Sequence, residues 1–499
     1  MEEKVNIYDV SFSYHKSERQ LSDINLKISQ GECIAIIGGS GCGKSTLTRV
    51  INGLIPAFFY GELNGDVIID GKNIKKLMSW EIGAMVGNVF QDPRSQFFSN
   101  EVAGEIAFGC ENLGLTHEEI IKRVFTTAKE MEIEELLNKS IYTLSYGMRQ
   151  KVAICSAKAM EPQIYVFDEP SANLDLNGTY ILSELIKKLK KEGKTVIIAE
   201  HRLFYLSNIV DRYVLMENGK IIRNYSTEEM KRQDFKTLNE MGLRTLSFQN
   251  ISIPPKEEQY STQFYPIKIS NLCKKFENNV LFQDLSFQYN GCEIIALVGS
   301  NGVGKSTLGK IIAGLMKETS GKILFDGIEK KYKKRIGRVW YIPQDLDSQL
   351  FGENLVDELT TGLKNSESNK EKALDLLKKL GLFLLRDKHP ATLSGGQKQR
   401  LVLGVAMMRD VPMIILDEPT SGLDFNSMEK VRLLIQEQQK KGIKFFIISH
   451  DIEFIARTCN RVLRLKNGKI TEDYYLKDMD SLLRSMEYEE EIYRKDGNQ

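Results

Sequence analysis

Short runs of β-branched and other apolar residues recur along this chain of 499 residues. The runs CIAIIG, ending at Gly38, and IIALVG, ending at Gly299, have the uninterrupted apolar character of strands buried in a parallel sheet. Each run is followed by a segment of helical character, LTRVINGL in the first half of the chain and LGKIIAGL in the second. Both halves are therefore predicted to contain a strand–loop–helix unit of an α/β fold.

A different pattern precedes each of these units. Residues 4 to about 30 and 267 to about 290 alternate apolar and polar positions, with turn residues between the runs. This period of two predicts an antiparallel β layer ahead of each loop. Tyr14 and Phe276 end comparable stretches of the two layers, 30 residues before Lys44 and 29 before Lys305. Either ring could stack on adenine, or could instead be a half-buried strand aromatic.

The loop between strand and helix reads GGSGCGKST in the first half and GSNGVGKST in the second. Both match G-x-x-x-x-G-K-[ST], a pattern whose backbone N–H groups surround phosphates, whose lysine reaches the β- and γ-phosphates and whose hydroxyl ligates Mg²⁺. The predicted nucleotide-binding residues of the loops are Gly38, Gly39, Ser40, Gly41, Cys42, Gly43, Lys44, Ser45, Thr46, Gly299, Ser300, Asn301, Gly302, Val303, Gly304, Lys305, Ser306 and Thr307. Cys42 either carries thiolate character at this helix N-terminus or is an inert small residue.

Paired acids end a second apolar strand in each half, in IYVFDEP from Ile164 and in MIILDEP from Met413. At the carboxyl end of a parallel strand, such acids face the phosphate crevice. Asp168 and Asp417 are suited to second-shell or water-mediated binding of Mg²⁺. The adjacent Glu169 and Glu418 are candidate general bases for an attacking water.

The later motifs of the two halves keep a constant offset. Asp168 and Asp417, Ser145 and Ser394, and His201 and His450 are all 249 positions apart, which indicates an internal duplication. The earlier spacing differs, because Lys44 to Gln91 spans 47 residues while Lys305 to Gln344 spans 39. We expect the first half to carry an extra surface loop near residues 56–65.

Composition restricts the class of protein. The net charge is +1, from 68 basic and 67 acidic residues, which offers no general attraction for nucleic acid. Nowhere do about 18 apolar residues run together, and the N-terminus MEEKVNIYDV lacks the apolar segment of a signal peptide. Seven cysteines without C-x-x-C spacing argue for reduced thiols. A cytosolic chain that spans no membrane is the resulting expectation.

These observations predict two domains, at residues 1–240 and 267–480. Residues 241–266 form a polar, proline-containing linker, and residues 481–499 form a charged C-terminal tail that begins as an amphipathic helix. About 20 linker residues at half extension reach about 30 Å, which allows the two domains to face each other within one chain.

A further motif lies 23 residues before each strand-ending aspartate: LSYGMRQK from Leu144 and LSGGQKQR from Leu393. Together with the phosphate loops and the DEP strands, it resembles the signature of ATP-binding cassette (ABC) ATPases, over about residues 4–225 and 267–470. The resemblance implies an α/β fold with two tandem P-loop NTPase domains, each with a mainly parallel sheet, an antiparallel β layer and a helical subdomain. Serine and glycines at a helix N-terminus also make physical sense as an anion site.

The family resemblance implies that two ATP molecules lie between the halves, each held by one phosphate loop and the other half's signature. It assigns the glutamines to Mg²⁺ and the attacking water, the histidines to the γ-phosphate, and the segments 171–175 and 421–424 to the facing domain. The residues that these assignments add are Gln91, Gln344, His201, His450, Ser145, Gly147, Ser394, Gly395, Gly396 and Gln397.

The two signatures differ, since Tyr146 and Met148 replace a glycine and a glutamine in the first half. The phenol adds bulk against the ribose and phosphates at the site bounded by Lys305. We therefore expect faster turnover at the site bounded by Lys44, which faces the intact signature.

The sequences after the two glutamines, QDPRSQFF and QDLDSQLF, resemble the ATPase subunits of energy-coupling factor (ECF) transporters, which import vitamins and transition metals. KTLNEMGLR, ending at Arg244, is also similar to that group. The resemblance implies integral membrane scaffold and substrate-binding subunits as partners, and a peripheral position on the cytoplasmic face of the membrane. Phe98 and Phe351 would be apolar contacts for a short helix of the membrane partner, or else core anchors.

Three alternatives remain at this point. The ATPase of a monosaccharide importer also fuses two cassettes, but one of its halves usually loses catalytic residues that both halves keep here. A soluble tandem ABC protein acting on ribosomes usually has a long, charged helical connector, whereas this linker is short and marked by prolines. A DNA-repair ABC ATPase would need zinc-binding cysteine spacings that the sequence lacks.

Overall fold

The computed structural model describes residues 2–15, 18–249, 251–253, 266–277, 279–289, 291 and 293–488. The chain divides into two compact units between Ser247 and Phe248, and we refer to them as unit one and unit two. The division falls inside the predicted linker, whose residues 254–265 lie outside the described residues. The domain limits at 240 and 267 stay predictions.

Unit one contains two sheets and a set of helices. Its strands are β1 (Glu3–His15), β2 (Glu18–Ser29), β3 (Cys33–Ile37), β4 (Glu62–Ile69), β5 (Lys72–Asn73), β6 (Val86–Val89), β7 (Ile164–Asp168), β8 (Thr195–Ala199), β9 (Arg212–Glu217) and β10 (Lys220–Ser226). Its helices are α1 (Lys44–Ile51), α2 (Leu54–Ala57), α3 (Ser79–Met85), α4 (Val102–Asn112), α5 (His117–Glu130), α6 (Tyr146–Ala159), α7 (Leu176–Lys191), α8 (Thr227–Lys231) and α9 (Phe235–Glu240).

The two sheets of unit one follow the predicted patterns. Strands in the order β2-β1-β4-β5 pair antiparallel, as the alternating segment before the loop predicted. The second sheet has the order β10-β9-β3-β8-β7-β6, in which β3, β6, β7, β8 and β9 pair in parallel and β10 joins β9 antiparallel. Strands β3, β7 and β8 are buried along their whole length, which is why their sequences are continuous apolar runs.

Unit two repeats this architecture. Its strands are β11 (Ile267–Phe276), β12 (Asn279–Gln288), β13 (Ile294–Val298), β14 (Ser320–Phe325), β15 (Ile328–Glu329), β16 (Val339–Ile342), β17 (Met413–Asp417), β18 (Lys444–Ile448), β19 (Arg461–Lys466) and β20 (Lys469–Tyr475). Its helices are α10 (Lys305–Ile312), α11 (Leu355–Thr360), α12 (Glu367–Lys379), α13 (Gly395–Met407), α14 (Phe425–Lys440), α15 (Ile452–Thr458) and α16 (Met479–Ser485). The sheets run β12-β11-β14-β15 and β16-β17-β18-β13-β19-β20. The predicted α/β class with tandem domains is confirmed.

In each unit, the helix after the phosphate loop lies in the core between the two sheets. In unit one, Leu47, Val50 and Ile51 of α1 share a buried cluster with residues of β1, β2, β3 and β7. In unit two, α10 contributes Leu308 and Ile311 to the corresponding cluster. Burying these aliphatic side chains stabilises each helix by about 1.5–3 kcal/mol per side chain. The N-terminus of the helix is thereby fixed at the edge of the parallel sheet.

The extra residues of unit one are only partly where we expected them. The five residues gained before Ile69, relative to Phe325, belong to α2 and the longer β4. A further three lie between Ile69 and Val86 and help to build α3, where unit two has only a single 3-10 turn, Tyr332–Lys334. The prediction of one loop near residues 56–65 was therefore incomplete, because the second insertion is helical and lies beyond β5.

The C-terminal segment begins as a packed element. Helix α16 starts two residues before the predicted tail and buries Leu482 completely. The Tyr474 hydroxyl pairs with Ser485 Oγ at 2.8 Å. The last residues of the predicted tail, 489–499, lie outside the described residues. Across the part of the chain that the structure describes, we find no helix with the length and apolar character needed to cross a membrane.

Candidate functional site

The two phosphate loops share a backbone shape that requires glycine. Gly38 has a φ of 145°, and a Cβ there would lie 2.2 Å from the carbonyl oxygen of Met216. Gly299 has a φ of 146°, and its Cβ would lie 2.3 Å from the carbonyl oxygen of Leu465. A side chain at either position would collide with the neighbouring strand. The first glycine of each motif is thus required by close packing as well as by conformation.

Each loop curves around its own lysine. Lys44 Nζ donates to the carbonyl oxygens of Gly38 at 2.9 Å and Gly39 at 3.1 Å. Lys305 Nζ does the same to Gly299 at 2.7 Å and to the next residue, Ser300, at 2.9 Å. Both lysines are buried, so each brings a positive charge into the concave side of its loop. This charge, together with the N-terminus of α1 or α10, favours a bound anion.

Unit one brings the predicted catalytic residues together around Glu169. Gln91 Nε2 donates to Glu169 Oε2 at 2.7 Å. His201 Nε2 lies 3.3 Å from Glu169 Oε1 and 3.3 Å from Lys44 Nζ. Lys44 begins α1, and the other three side chains lie just after β6, β7 and β8; the four form one connected polar cluster.

The pKa values of the two paired acids of unit one are shifted in opposite directions. Burial and the neighbouring Glu169 charge raise the pKa of Asp168 to about 7, against a hydrogen bond from Ser45 Oγ at 3.0 Å. Burial also acts to raise the pKa of Glu169, but His201, Lys44 and Gln91 outweigh it and lower that pKa. Two neighbouring acids whose pKa values are shifted in opposite directions are suited to different roles. The assignment of Glu169 as general base and of Asp168 as a metal-binding residue stays a prediction.

Unit two arranges the same residue types differently. His450 Nε2 lies 3.7 Å from Glu418 Oε1 and pairs with Asn301 Oδ1 of the phosphate loop at 3.1 Å. Asp417 Oδ2 accepts a hydrogen bond from the hydroxyl of Tyr341 at 2.6 Å. Burial, followed by the charge of Asp417, raises the pKa of this tyrosine, so the hydroxyl stays a donor.

The predicted signature residues lie at helix N-termini. Ser145 is the N-cap of α6, and its hydroxyl accepts from Met148 N at 3.4 Å. Ser394 caps α13 in a reciprocal capping box, in which Gln397 Oε1 accepts from Ser394 N at 2.9 Å. Gly147 lies in the first turn of α6, and Gly395 and Gly396 lie in the first turn of α13. A Cβ on Gly396 would lie 2.9 Å from Ser427 Oγ.

The two aromatic candidates for adenine stacking have different surroundings. The hydroxyl of Tyr14 accepts from Arg49 Nη1 at 3.1 Å, and its ring packs edge-on against Phe12. Phe276 is 46% exposed, with the ammonium of Lys274 lying 4.5 Å from its ring centre. Stacking on adenine stays a prediction for both. Cys42 is buried, with its sulfur 4.0 Å from Lys44 Nζ.

A cavity of about 590 Å³ in unit one opens beside Gln91. Its walls are mainly apolar and include Phe58, Phe90 and Met160, and it extends as far as Asp168. Phe98 lines it and stacks on Phe108 with ring centres 4.8 Å apart. Phe98 is 75% exposed and Phe351 is 77% exposed, so the alternative that either residue anchors a core is wrong.

Sequence reasoning missed a buried carboxyl group beside the histidine of each unit. Glu200, just before His201, accepts hydrogen bonds from Ser171 Oγ at 2.7 Å and from the Tyr205 hydroxyl at 2.9 Å. In unit two the equivalent carboxylate is Asp451, which accepts from Thr420 Oγ1 at 2.6 Å. The signal was present in the sequence. The first half reads EHR where the second half reads SHD, so the acid precedes the histidine in one half and follows it in the other.

Two phosphate loops, each backed by an acid pair and a histidine, define a duplicated P-loop ATPase. A family model described as ABC transporter matches residues 21–172 and 282–421, which together are more than half of the chain. The chain belongs to the ABC transporter family of ATPases, and it binds and hydrolyses ATP.

Relatives extend over nearly the whole chain. A protein of Treponema denticola named as an ABC transporter ATP-binding protein is 40% identical over 94% of this chain and 96% of its own length. A Bacillus subtilis protein named as the HMP/thiamine import ATP-binding protein YkoD is 33% identical over 95% of this chain and 91% of its own length. Among solved structures, ribosome-bound archaeal Pelota and ABCE1 gives a TM-score of 0.69 at 23% identity, covering 96% of this chain and 80% of the matched chain. That likeness shows the fold alone.

Proposed function

We propose that this ATPase is the energy-supplying subunit of an importer of the ECF type, which takes up a vitamin or metal micronutrient through separate membrane subunits. The observation that carries the proposal is the apolar cavity beside Gln91 with exposed Phe98 at its wall, because it joins a docking surface to the ATP site. The Bacillus subtilis relative whose name assigns it to HMP/thiamine import supports the substrate class.

We infer that each ATP is bound by the phosphate loop of one unit and by the signature of the other. In this arrangement Ser394 contacts the nucleotide held by Lys44, and Ser145 contacts the nucleotide held by Lys305. Glu169 or Glu418 accepts a proton from the water that attacks the γ-phosphorus in line, and the leaving group is ADP. The lysine and histidine stabilise the negative charge that develops on the transferred phosphoryl group.

Mg²⁺ is the metal that this chemistry implies, and the residues present fit it. Ser45 Oγ and Asp168 Oδ1 lie 3.0 Å apart, and Gln91 contacts Glu169, the residue next to Asp168. Hydroxyl, carboxylate and amide oxygens are the ligands that Mg²⁺ prefers. In unit two Ser306, Gln344 and Asp417 are the corresponding residues. The metal would neutralise charge on the phosphates when it is bound.

Coupling follows from the position of the cavity. A short apolar helix of a membrane subunit seated in it would contact the segment around Gln91. Closure of the two units around ATP would then move the seated helix, and hydrolysis would allow it to return. This places the protein at the cytoplasmic face of the membrane, held there by its partners.

Co-purification from native membranes tests the proposal. We expect the full chain to retain a small integral membrane protein, and Phe98→Asp to lose it, because a charge cannot be buried in the apolar contact. Phe125→Asp is the matched control, since Phe125 is also exposed but lies on α5 and does not line the cavity. Recovery of ribosomal particles, or equal retention of the membrane protein by both variants, would overturn the proposal.

A further inference from the structure

The first turn of α6 is tied to the wall of the cavity by a tyrosine. The hydroxyl of Tyr146 donates to Asp92 Oδ1 at 2.9 Å. Asp92 directly follows Gln91 and lines the cavity. The guanidinium carbon of Arg94 lies 5.6 Å from the centre of the tyrosine ring. Tyr146 directly follows Ser145, and Asp92 directly follows Gln91, so this hydrogen bond links the turn that carries Ser145 to the segment that carries Gln91.

This contact occurs where the helix cap is weakened. In unit two, Gln397 completes the capping box with Ser394. In unit one the equivalent position is Met148, whose thioether sulfur is only a weak acceptor for the Ser145 amide. Ser145 Oγ therefore caps α6 without that reciprocal partner. The hydrogen bond from Tyr146 adds a second point of attachment for the same turn.

Unit two attaches its signature helix through a different pair. Lys398 Nζ, in the first turn of α13, contacts Asp347 Oδ1 at 2.6 Å, three residues past Gln344. The residues at these two positions in unit one are Arg149 and Arg94, and two cations cannot form that ion pair. Both units thus join the signature helix to the segment after the glutamine, but with unrelated side chains.

We propose that Tyr146 is a positioning residue for the ATPase reaction: through Asp92 it keeps the turn that carries Ser145 in register with the segment that carries Gln91. A displacement of the cavity wall is then passed to the signature turn of unit one. The inference depends on the nucleotide contact inferred above for Ser145, and it does not depend on which partner occupies the cavity.

Steady-state ATPase kinetics of the full chain test this inference. Tyr146→Phe removes the hydroxyl and keeps the ring. We expect kcat to fall about fivefold with KM for ATP changed less than twofold, because the phosphate loops that hold the nucleotide are untouched. Asp92→Ala, which removes the acceptor of this hydrogen bond, should give a similar loss, and the double variant should be no worse than either single one. Tyr142→Phe, an exposed tyrosine one turn upstream, is the matched control and should leave kcat unchanged.

Two further measurements separate positioning from simple capping and from stability. Met148→Gln in the Tyr146→Phe background supplies the cap that unit two has, and we expect it not to restore kcat. Restoration by Met148→Gln would show that only the cap matters and would overturn the proposal. Unchanged kcat in Tyr146→Phe, additive losses in the double variant, or a fall in melting temperature that parallels the fall in kcat would each overturn it too. The co-purification result for Phe98 variants is independent of all these outcomes.

Discussion

The predicted catalytic glutamates of the two units, Glu169 and Glu418, both follow the strand that ends in the paired aspartate but have different neighbours. Glu169 is held on both carboxylate oxygens, by Gln91 at 2.7 Å and by His201 at 3.3 Å. Glu418 lies 3.7 Å from His450, and its other oxygen accepts from the Ser449 hydroxyl at 3.4 Å and from the backbone N–H of His450 at 3.3 Å. The shortest of these contacts is the hydrogen bond between Gln91 and Glu169 in unit one.

The strand-ending aspartates differ in the same way. Asp168 is paired with Ser45 Oγ, whereas Asp417 is paired with the hydroxyl of Tyr341. The residue of unit one that matches Tyr341 on the neighbouring strand is Asn88, whose amide donates to a backbone carbonyl instead. Identical motifs thus acquire different hydrogen bonds because the residues around them, which no motif specifies, have diverged.

The largest expected effect comes from replacing each glutamate that we propose as the general base. Our hypothesis is that the site bounded by Lys44 turns over faster, since its glutamate receives the short hydrogen bond from Gln91 and, in the arrangement proposed above, it would face the unaltered signature. Glu169→Gln should lower kcat about a hundredfold, the loss typical of a missing general base. Glu418→Gln should cause a clearly smaller loss. ATPase rates at saturating ATP measure both, with retained ATP binding as the control for folding. Equal losses in the two variants would defeat the asymmetry.

An intermediate effect is expected from the buried carboxylates beside the histidines. Glu200 is 1% exposed, and its two oxygens accept from side chains and from the backbone N–H of His201 at 2.7 Å. In Glu200→Gln, the NH2 group of the new side chain would face N–H or O–H groups that also donate, so one hydrogen-bonded set would be lost. We expect the free energy of unfolding to fall by about 2 kcal/mol. The urea midpoint of the full chain measures this change.

The comparison with unit two sharpens that prediction. Asp451→Asn should cost less. The asparagine oxygen can still accept from Phe454 N, and the Thr420 hydroxyl can turn to accept from the amide. In unit one the amide would meet the backbone N–H of Ser171 or of His201, which can only donate. Glu217→Gln, at an exposed position of β9, serves as the control and should leave the midpoint unchanged. If the Glu200 and Glu217 variants behaved alike, the network around Glu200 would not contribute to stability.

The smallest expected effect is a pH dependence of the unit one site. Burial and then the charge of Glu169 raise the pKa of Asp168 to about 7 from its ordinary value of 3.8. The protonated form is therefore favoured by folding, and that stabilisation is present at pH 4 and is lost as the pH rises through 7. Because Mg²⁺ binding needs the ionised carboxylate, the affinity for MgATP changes in the opposite direction.

Variants that isolate one site measure this dependence. Lys305→Ala disables the unit two site, so that MgATP binding reports the unit one site alone. There the affinity for MgATP should be about tenfold weaker at pH 6 than at pH 8, as expected for a pKa of about 7. Adding Asp168→Asn should remove the dependence. The same titration on Lys44→Ala reports unit two, where Asp417 has Tyr341 as its partner. An affinity for unit one that stays constant between pH 6 and pH 8 would contradict the prediction.

Much of the fold could be predicted, because its signals are local. The continuous apolar runs identified β3, β7, β13 and β17, and the alternating segments identified the antiparallel sheets. The glycine-rich pattern located both phosphate loops, since a chain that must pass close to a strand at Gly38 leaves no room for a side chain. The insertion in unit one was placed less well, because a length difference does not reveal that part of it folds as α3.

The sequence alone identified the loop, acid, histidine and signature residues, because each belongs to a short contiguous motif. It also revealed the duplication and the unequal signatures, because the motifs occur twice and can be compared. Only the tertiary structure decided which partners these residues have. The contacts of Glu200 with Ser171, of Tyr146 with Asp92 and of Tyr341 with Asp417 join segments 29, 54 and 76 positions apart. Such pairs depend on how strands and helices pack, and a difference of one ångström decides whether a hydrogen bond forms.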